Sequence, residues 1–321
     1  TCPHFMETSQ DTLEFKGWFF RVKTGPISGV KYLKRLTDDL NLKMLPEMVF
    51  GHNILSVSHK NGLKFSFCAK DALAMVESKS NIKVKVAEKW AQKLKMLNIE
   101  DKSHSSDWTF TTFYEGTLTH SPQDNTQTSA IPKSSPKTRE KQNPEPIPES
   151  KPKSKPEPSS KPRPEPSSTL RPEPKQEHKP EAKSSGGVAR VASTEGIDVK
   201  MLMKREKIVW YKELCLYEDE LADNGLSKLD IKIRVMPSCF LLRMRFLLRV
   251  DDVTVRARDV RYFHDFDKNH VIVEIEERGD SFRTVNQKLY GKNLRTTDPE
   301  MLVRILQLKA KEKYKISLSG S

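Results

Sequence analysis

Apolar and polar side chains alternate along two stretches near the start of the chain, at residues 13–22 and 54–68. Alternation with a period of two is typical of a β-strand that buries one face. The sequence HKNG at residues 59–62 interrupts the second stretch, so that stretch is predicted to be a hairpin.

Three more strands are predicted to follow one another closely, with alternating apolar positions at residues 229–235, 240–250 and 253–257. The pair Asp251-Asp252 is short enough to join the last two as an antiparallel hairpin. Seven basic residues take the opposite parity and are expected to share one sheet face. They are Lys232, Arg234, Arg243, Arg245, Arg249, Arg256 and Arg258.

Apolar residues at helical spacing predict four helices. The first spans residues 29–40 with Ser28 as its N-cap, and a short one follows Lys70. A long helix is predicted from Asp198 to about residue 223, and a last one begins at Asp298-Pro299, which supply the N-cap and the first helical position. Hairpins mixed with isolated helices favour an α+β fold with antiparallel sheet rather than a parallel doubly wound sheet.

Composition divides the chain into three parts. Residues 121–187 hold 15 of the 20 prolines and no aromatic residue, so they cannot bury enough apolar area to offset the entropy of ordering. We expect a disordered insertion there, and residues 1–120 and 188–321 are expected to form one domain around it. Within the insertion, the sequence Lys/Arg-Pro-Glu recurs every eight residues from Lys155. This repeat favours a semi-stiff solvated loop, with docking to an aromatic groove as the alternative.

The formal net charge of +13 is compatible with an anionic partner and equally with a basic surface that keeps the protein dissolved. The four cysteines form no CxxC pair, and no apolar run reaches the length of a membrane span. We therefore expect reduced thiols, a soluble protein and a cytoplasmic location. The chain does not begin with Met, so a leader could precede it.

Two patterns suggest chemistry and are weighed against plainer interpretations. Asp265, Asp267 and Asn269 fall at calcium-loop positions, but His270 stands where that loop requires glycine, which favours a β-turn. The seven basic residues are a candidate surface for nucleic acid or acidic peptides, or simply a solvated sheet face. Local signatures of phosphate loops, nucleophile elbows and zinc proteases are lacking, so we expect no enzyme, no cofactor and no metal site, although a triad assembled from distant residues stays open.

Several long blocks of the sequence resemble those of one known protein family. LPEMVFG from Leu45, KDALAMV from Lys70, DWTFTTFYEGTL from Asp107 and the block of residues 216–251 resemble, in the same order, the TIPRL (Tip-forty-one-like) family of TOR-pathway regulators. The resemblance implies a single α+β domain that binds the catalytic subunit of type 2A protein phosphatases, and especially its C-terminal tail, without catalysing a reaction. Other phosphatase regulatory proteins are further candidate partners.

The resemblance also implies partner-binding residues, at Asp71, Ile197, Ala257 and Asp259. Relatives carry Met where this chain has Ala257. The physical alternatives are a helix-start carboxylate for Asp71, a helix staple for Ile197 and a turn position for Asp259. The insertion is longer than the usual family connection, and the segment from Asp280 has no clear counterpart. We expect the domain to tolerate the insertion because loop-closure entropy grows only logarithmically with length.

Overall fold

The computed structural model describes residues 8–42, 44–76, 108–120, 189–290 and 293–318. The predicted insertion at 121–187 lies outside the described residues, and its disorder stays a prediction. The described residues form two antiparallel sheets with a few short helices, which confirms the α+β class.

The smaller sheet has five antiparallel strands in the order β1-β2-β4-β5-β6. They are β1 (Ser9–Phe15), β2 (Trp18–Thr24), β4 (Ile54–His59), β5 (Leu63–Cys68) and β6 (Thr117–His120). The predicted hairpin of residues 54–68 is confirmed. The single stretch 13–22 is instead a hairpin of two strands, because Lys16 and Gly17 both have positive φ, 49° and 79°, and reverse the chain.

The larger sheet has eight antiparallel strands in the order β3-β8-β9-β10-β11-β12-β13-β7. They are β3 (Met48–Val49), β7 (Arg190–Ala192), β8 (Trp210–Asp219), β9 (Gly225–Val235), β10 (Cys239–Val250), β11 (Thr254–Asp265), β12 (His270–Ser281) and β13 (Leu308–Ser317). The three consecutive strands predicted from residues 229–257 are confirmed as β9, β10 and β11.

The long helix predicted from Asp198 to residue 223 is wrong. Asp198 does cap a helix, since its Oδ1 accepts from the backbone N of Lys200 at 2.8 Å, but this helix, α3 (Val199–Met203), is short. Residues 210–219 instead form strand β8, because their backbone pairs with β9 along nearly the whole length of β8. Close packing fixes the start of β9, where a Cβ on Gly225 would lie 2.1 Å from the carbonyl oxygen of Arg249.

The β10–β11 hairpin was predicted, but its loop has three residues rather than two, since Val250 pairs with Thr254. Asp252 has a φ of 61° within that loop. One extra residue reverses the side-chain parity of the following strand. Arg256 and Arg258 therefore lie on the opposite face from Arg243, Arg245 and Arg249, and the expectation that all seven basic residues share one face is wrong.

The remaining helices are α1 (Val30–Leu40), α2 (Ala69–Leu73), α4 (Phe282–Lys288) and α5 (Pro299–Ile305), with a 3-10 turn at Leu294–Thr296. The start of α5 is as predicted, with Asp298 accepting from the backbone N of Glu300. Ser28 is not the cap of α1; Gly29 takes that position, because the Ser28 Oγ accepts from the backbone N of Gly51 at 2.8 Å.

The main core lies between the two sheets. Trp18 of β2 is fully buried, and its ring centroid is 4.9 Å from that of Phe240 on β10. Phe65 of β5 and Tyr262 of β11 meet similarly at 5.0 Å. Residues from both sides of the segment 121–187 thus pack in one cluster.

Two smaller apolar clusters lie on the other face of the larger sheet. Helices α4 and α5 cover Leu247, Val255 and Ala257 at one end. Ile197 and α3 cover Cys239, Phe263 and Ile272 at the other. Both faces of the larger sheet are therefore covered in part, and the polar residues between the two clusters form the region described next.

Candidate partner-binding face

Three of the four predicted site residues lie on the face of the larger sheet that turns away from the smaller sheet. Ala257 and Asp259 are two positions apart in β11 and so point to the same side. Ile197 lies on this side over Phe263 and Ile272. We call this side of the larger sheet the outer face.

Asp259 is held in a buried ion pair. Its Oδ1 and Oδ2 accept from the Nε and Nη2 of Arg245 at 2.6 and 2.7 Å, and Arg261 adds a third contact at 3.0 Å. Its side chain is only 2% exposed. Burial by itself would lower the pKa of Arg245, because it disfavours the charged form. The hydrogen bonds and the negative charge of Asp259 outweigh this effect, so the pKa of Arg245 lies above its ordinary value. In this conformation the Asp259 carboxylate has no free surface for a partner.

Further charged residues extend this pair into a band of ion pairs across the outer face. Arg243 contacts both Asp230 and Glu300, and Glu300 of α5 also contacts Arg245 at 2.9 Å. We call the following group the ion-pair band: Asp230, Arg243, Arg245, Asp259, Arg261, Glu276 and Glu300.

Two carboxylates of this band are strongly acidic. Burial works to raise the pKa of Glu276 and Glu300, but the cations beside them hold both values at about 2. For Glu276 these cations include Lys311 and Arg261, and for Glu300 they are Arg243 and Arg245. The band is therefore a matched set of charges and not a free basic surface.

Of the two arginines on the inner face, Arg258 is paired as well. Arg258 is buried between the sheets, where its Nη2 donates to Glu115 Oε1 at 2.8 Å and its Nη1 to the carbonyl of Tyr114 at 3.1 Å. Nucleic-acid binding through one continuous arginine face therefore lacks the surface it would need.

Ile197 is half-buried at the start of α3. Its backbone N donates to Glu274 Oε1 at 2.9 Å, and Glu274 lies opposite Arg261 in the neighbouring strand. Its side chain packs on the cluster of Phe263 and Ile272. Ile197 is thus fixed to the outer face beside the ion-pair band, with part of its surface open.

Asp71 lies elsewhere, in α2 on the layer of the smaller sheet. Its Oδ2 accepts from Thr117 Oγ1 at 2.5 Å, which ties α2 to β6. The neighbouring Cys68 thiol is partly buried, and this burial raises its pKa to about 11. The larger sheet separates this layer from the outer face, so the structure does not bring Asp71 next to Asp259.

Sequence reasoning did not single out two acidic residues that organise this region. Glu300 joins α5 to Arg243 and Arg245. Glu115 binds Arg258 and, through Oε2, Arg190 at 2.7 Å. The only available signal for Glu115 was its place in the block DWTFTTFYEGTL, since its partners are more than 70 positions away in the chain.

The calcium-like loop at Asp265 is a β-turn between β11 and β12, as favoured from the sequence. Within the described ranges, no three His, Cys, Asp or Glu side chains are grouped so as to hold a metal ion. None of the helices in the described part combines the length and apolar character that crossing a membrane requires.

Comparison with known proteins identifies the family. The model of the TIP41-like family matches residues 48–148 and 168–286, together more than half of the chain. The human TIP41-like protein is 29% identical over 282 residues, covering 86% of this chain and 79% of the relative. The type 2A phosphatase activator TIP41 of Saccharomyces cerevisiae is 31% identical over 261 residues, covering 76% of this chain and 55% of the relative.

A third relative is the type 2A phosphatase activator tip41 of Schizosaccharomyces pombe, which is 25% identical over 259 residues, covering 80% of this chain and 77% of the relative. These matches confirm the family resemblance noted from the sequence. The chain belongs to the TIP41-like family.

Proposed function

We propose that this protein is a non-catalytic regulator that binds type 2A protein phosphatases through their catalytic subunit. Support comes from its similarity to two fungal relatives whose names describe type 2A phosphatase activators. The C-terminal tail of the catalytic subunit is the proposed ligand, TOR signalling the proposed context, and other phosphatase regulators are proposed further partners.

We assign the four site residues two different roles. Ile197 and Asp71 both keep some exposed surface and are proposed to touch the partner directly. Ala257 and Asp259 are buried, at 3% and 2% exposure, and are proposed to act by holding the outer face in shape. Direct contact with Asp259 would require breaking a buried bidentate ion pair, which costs several kcal/mol.

The proposed location is the cytoplasm. Cys68, Cys215 and Cys239 are free thiols, and free partly buried thiols are typical of proteins in a reducing compartment. Burial raises the pKa of Cys215 to about 12, so this thiol stays protonated and unreactive.

The proposal is tested by measuring binding of purified type 2A phosphatase catalytic subunit to the wild type and to two variants, Asp71→Leu and Ile197→Asp. We expect each variant to weaken binding by roughly tenfold or more, as for the loss of one contact of moderate importance. Thermal unfolding of each variant separates a loss of contact from a loss of fold.

Two control variants change exposed residues that are not among the proposed contacts. Glu14→Leu removes an exposed carboxylate from β1, and Val30→Asp changes an exposed aliphatic residue of α1. Both controls are expected to bind like the wild type. If the two site variants also bind like the wild type, Asp71 and Ile197 are not contacts; if the wild type does not bind, the proposed function is wrong.

A further inference from the structure

Residues 199–211 combine exposed apolar side chains with basic side chains that pair with no other described residue. We call this segment the 199–211 arm. Val199 and Met203 are 62% and 76% exposed, and Ile208 and Tyr211 are about half exposed. Aliphatic side chains this exposed and this close together are typical of a surface that contacts another molecule.

The arm is held in place on its inner side. Met201 and Leu202 of α3 pack on the outer-face cluster of Phe263 and Ile272. Farther along, Glu206 accepts from the Oγ of Ser238 at 2.8 Å and from its backbone N at 3.2 Å. Anchored at both points, the arm presents a defined outer side.

Helix geometry explains which side chains face outward. Val199 and Met203 are four positions apart in α3 and so lie on one side of the helix. Lys200 and Lys204 have the same spacing and lie beside them. With Met201 and Leu202 turned to the sheet, the outward side of α3 is an apolar pair flanked by two lysines.

The positive charge of the arm is not matched by any carboxylate in the part of the chain that the structure describes. Within the described ranges, the side chains of Lys200, Lys204, Arg205 and Lys207 form no ion pair or hydrogen bond. Arg234, opposite Tyr211 in the β8–β9 ladder, is likewise unpaired there. The cations of the ion-pair band, by contrast, each face one or two carboxylates.

We propose that the 199–211 arm is a docking surface for an acidic segment of a partner protein that also carries apolar side chains. Its carboxylates pair with Lys200, Lys204 and Lys207, and its apolar side chains cover Val199 and Met203. This rests on the proposed function, in that the partner is the type 2A phosphatase catalytic subunit and the arm begins beside Ile197.

A narrow protein segment fits this surface better than an anionic membrane. The exposed carboxylate of Asp198 caps α3 at the edge of the basic patch, and Glu195 lies just before it. A flat anionic surface would bring its charges against these carboxylates as well as the lysines. A peptide can follow the basic side and avoid them.

The test uses purified type 2A phosphatase catalytic subunit and the full-length chain carrying Lys200→Glu, Lys204→Glu and Lys207→Glu together. A matched control carries Lys31→Glu, Lys34→Glu and Arg35→Glu on the exposed side of α1. Affinity is measured from about 0.05 to about 0.5 M salt, a range over which screening of exposed charges becomes strong.

We expect the arm variant to bind roughly tenfold more weakly at low salt and to lose most of the salt dependence, because three exposed charge pairs each contribute a modest amount. The α1 control is expected to match the wild type. Equal binding by the arm variant and the wild type would overturn the docking surface while leaving the proposed function in place. Failure of the wild type to bind would overturn both.

A second measurement identifies the occupant. A photo-crosslinking amino acid at position 203 is expected to capture a stretch of the catalytic subunit rich in Asp or Glu and containing apolar residues. Capture of a neutral or basic stretch would contradict the inference. So would sedimentation of the wild type, but not the arm variant, with vesicles of phosphatidylserine and phosphatidylcholine, which would indicate a membrane surface instead.

Discussion

Arg190 and Glu115 form an ion pair, with 2.7 Å between Nη1 and Oε2, although the whole of the segment 121–187 lies between them in the sequence. Glu115 also binds the buried Arg258, and Arg190 lies over the ring of Tyr314 with 5.0 Å to its centroid. The chain on either side of that segment is therefore held to the same part of the larger sheet.

This pairing predicts that residues 121–187 can be replaced by a flexible linker of about ten residues with little effect on the fold. We expect the free energy of unfolding, measured with urea, to change by less than about 1 kcal/mol, since closure entropy depends only weakly on loop length. A loss of more than about 3 kcal/mol would mean that the replaced segment packs against the domain.

Glu115→Gln should destabilise the protein. Among the described residues, it leaves Glu277 as the one acidic partner of Arg258, whose side chain is 8% exposed. We expect a loss of about 3 kcal/mol, the lower end of the range for breaking a buried pair. Glu277→Gln is the matched control, and because Glu277 is 40% exposed its loss should stay below about 1 kcal/mol. Equal losses would show that Glu115 has no special role.

Asp259→Asn should unfold at a lower temperature because it leaves Arg245 buried without its bidentate partner. We expect a loss of about 3–5 kcal/mol, measured by urea unfolding. We proposed that Asp259 holds the outer face in shape without touching the partner, which we call its positioning role. If so, the variant's phosphatase binding should decrease only in proportion to the decrease in the folded fraction.

The control for this variant is Glu300→Gln, which touches the same arginine from a more exposed position and should cost about 1 kcal/mol. A variant of Asp259 that keeps full stability yet no longer binds the phosphatase would contradict the positioning role. It would show instead that Asp259 meets the partner directly.

The buried position of His264 predicts that the folded protein loses stability in mild acid. The His264 ring lies between the sheets, 5.0 Å from Trp18 and 5.7 Å from Phe240, and burial lowers its pKa to about 4. The hydrogen bond to the backbone carbonyl of His270 and the charge of Asp265 oppose this shift, and the nearby His59 adds to it. The folded protein therefore binds this proton less readily than the unfolded chain, and stability falls as pH decreases from about 6.5 to about 4. We expect a loss on the order of 3 kcal/mol over that window, measured by urea unfolding at several pH values.

His264→Phe keeps an aromatic ring in place and removes this proton site, so its stability should fall much less than that of the wild type between pH about 6.5 and about 4.5. The fall that remains comes from His59, whose pKa is also lowered by burial. Below about 4.5 both proteins should still lose stability, because Glu276 and Glu300 have pKa values near 2 and must be protonated on unfolding. Parallel curves for the two proteins above pH 4.5 would rule out His264 as the source.

Parts of this fold could be predicted because their determinants are local. Strands β9, β10 and β11 alternate strongly and are joined by short turns, so neighbouring residues alone specify the meander. The start of α5 was equally predictable, because Asp298 and Pro299 act on the next few backbone groups.

Other predictions were wrong where contacts with residues distant in the chain determine the local structure. Residues 210–219 have helical spacing of some apolar residues, but pairing with β9 makes them a strand. Ser28 has a side chain suited to capping, yet its hydroxyl oxygen accepts a hydrogen bond from the backbone N of the distant Gly51 instead. One extra residue in the β10–β11 loop moved Arg256 and Arg258 to the other face.

By itself, the sequence determined the class of fold, the central strands and the family. Only the tertiary structure decided that Asp259 is enclosed by Arg245 and that Asp71 lies in a different layer. It also decided that the lysines of the 199–211 arm have no carboxylate partner among the described residues. The physical reason is that burial and charge neutralisation depend on groups far apart in the chain, and their meeting is set by sheet register and packing rather than by neighbouring residues.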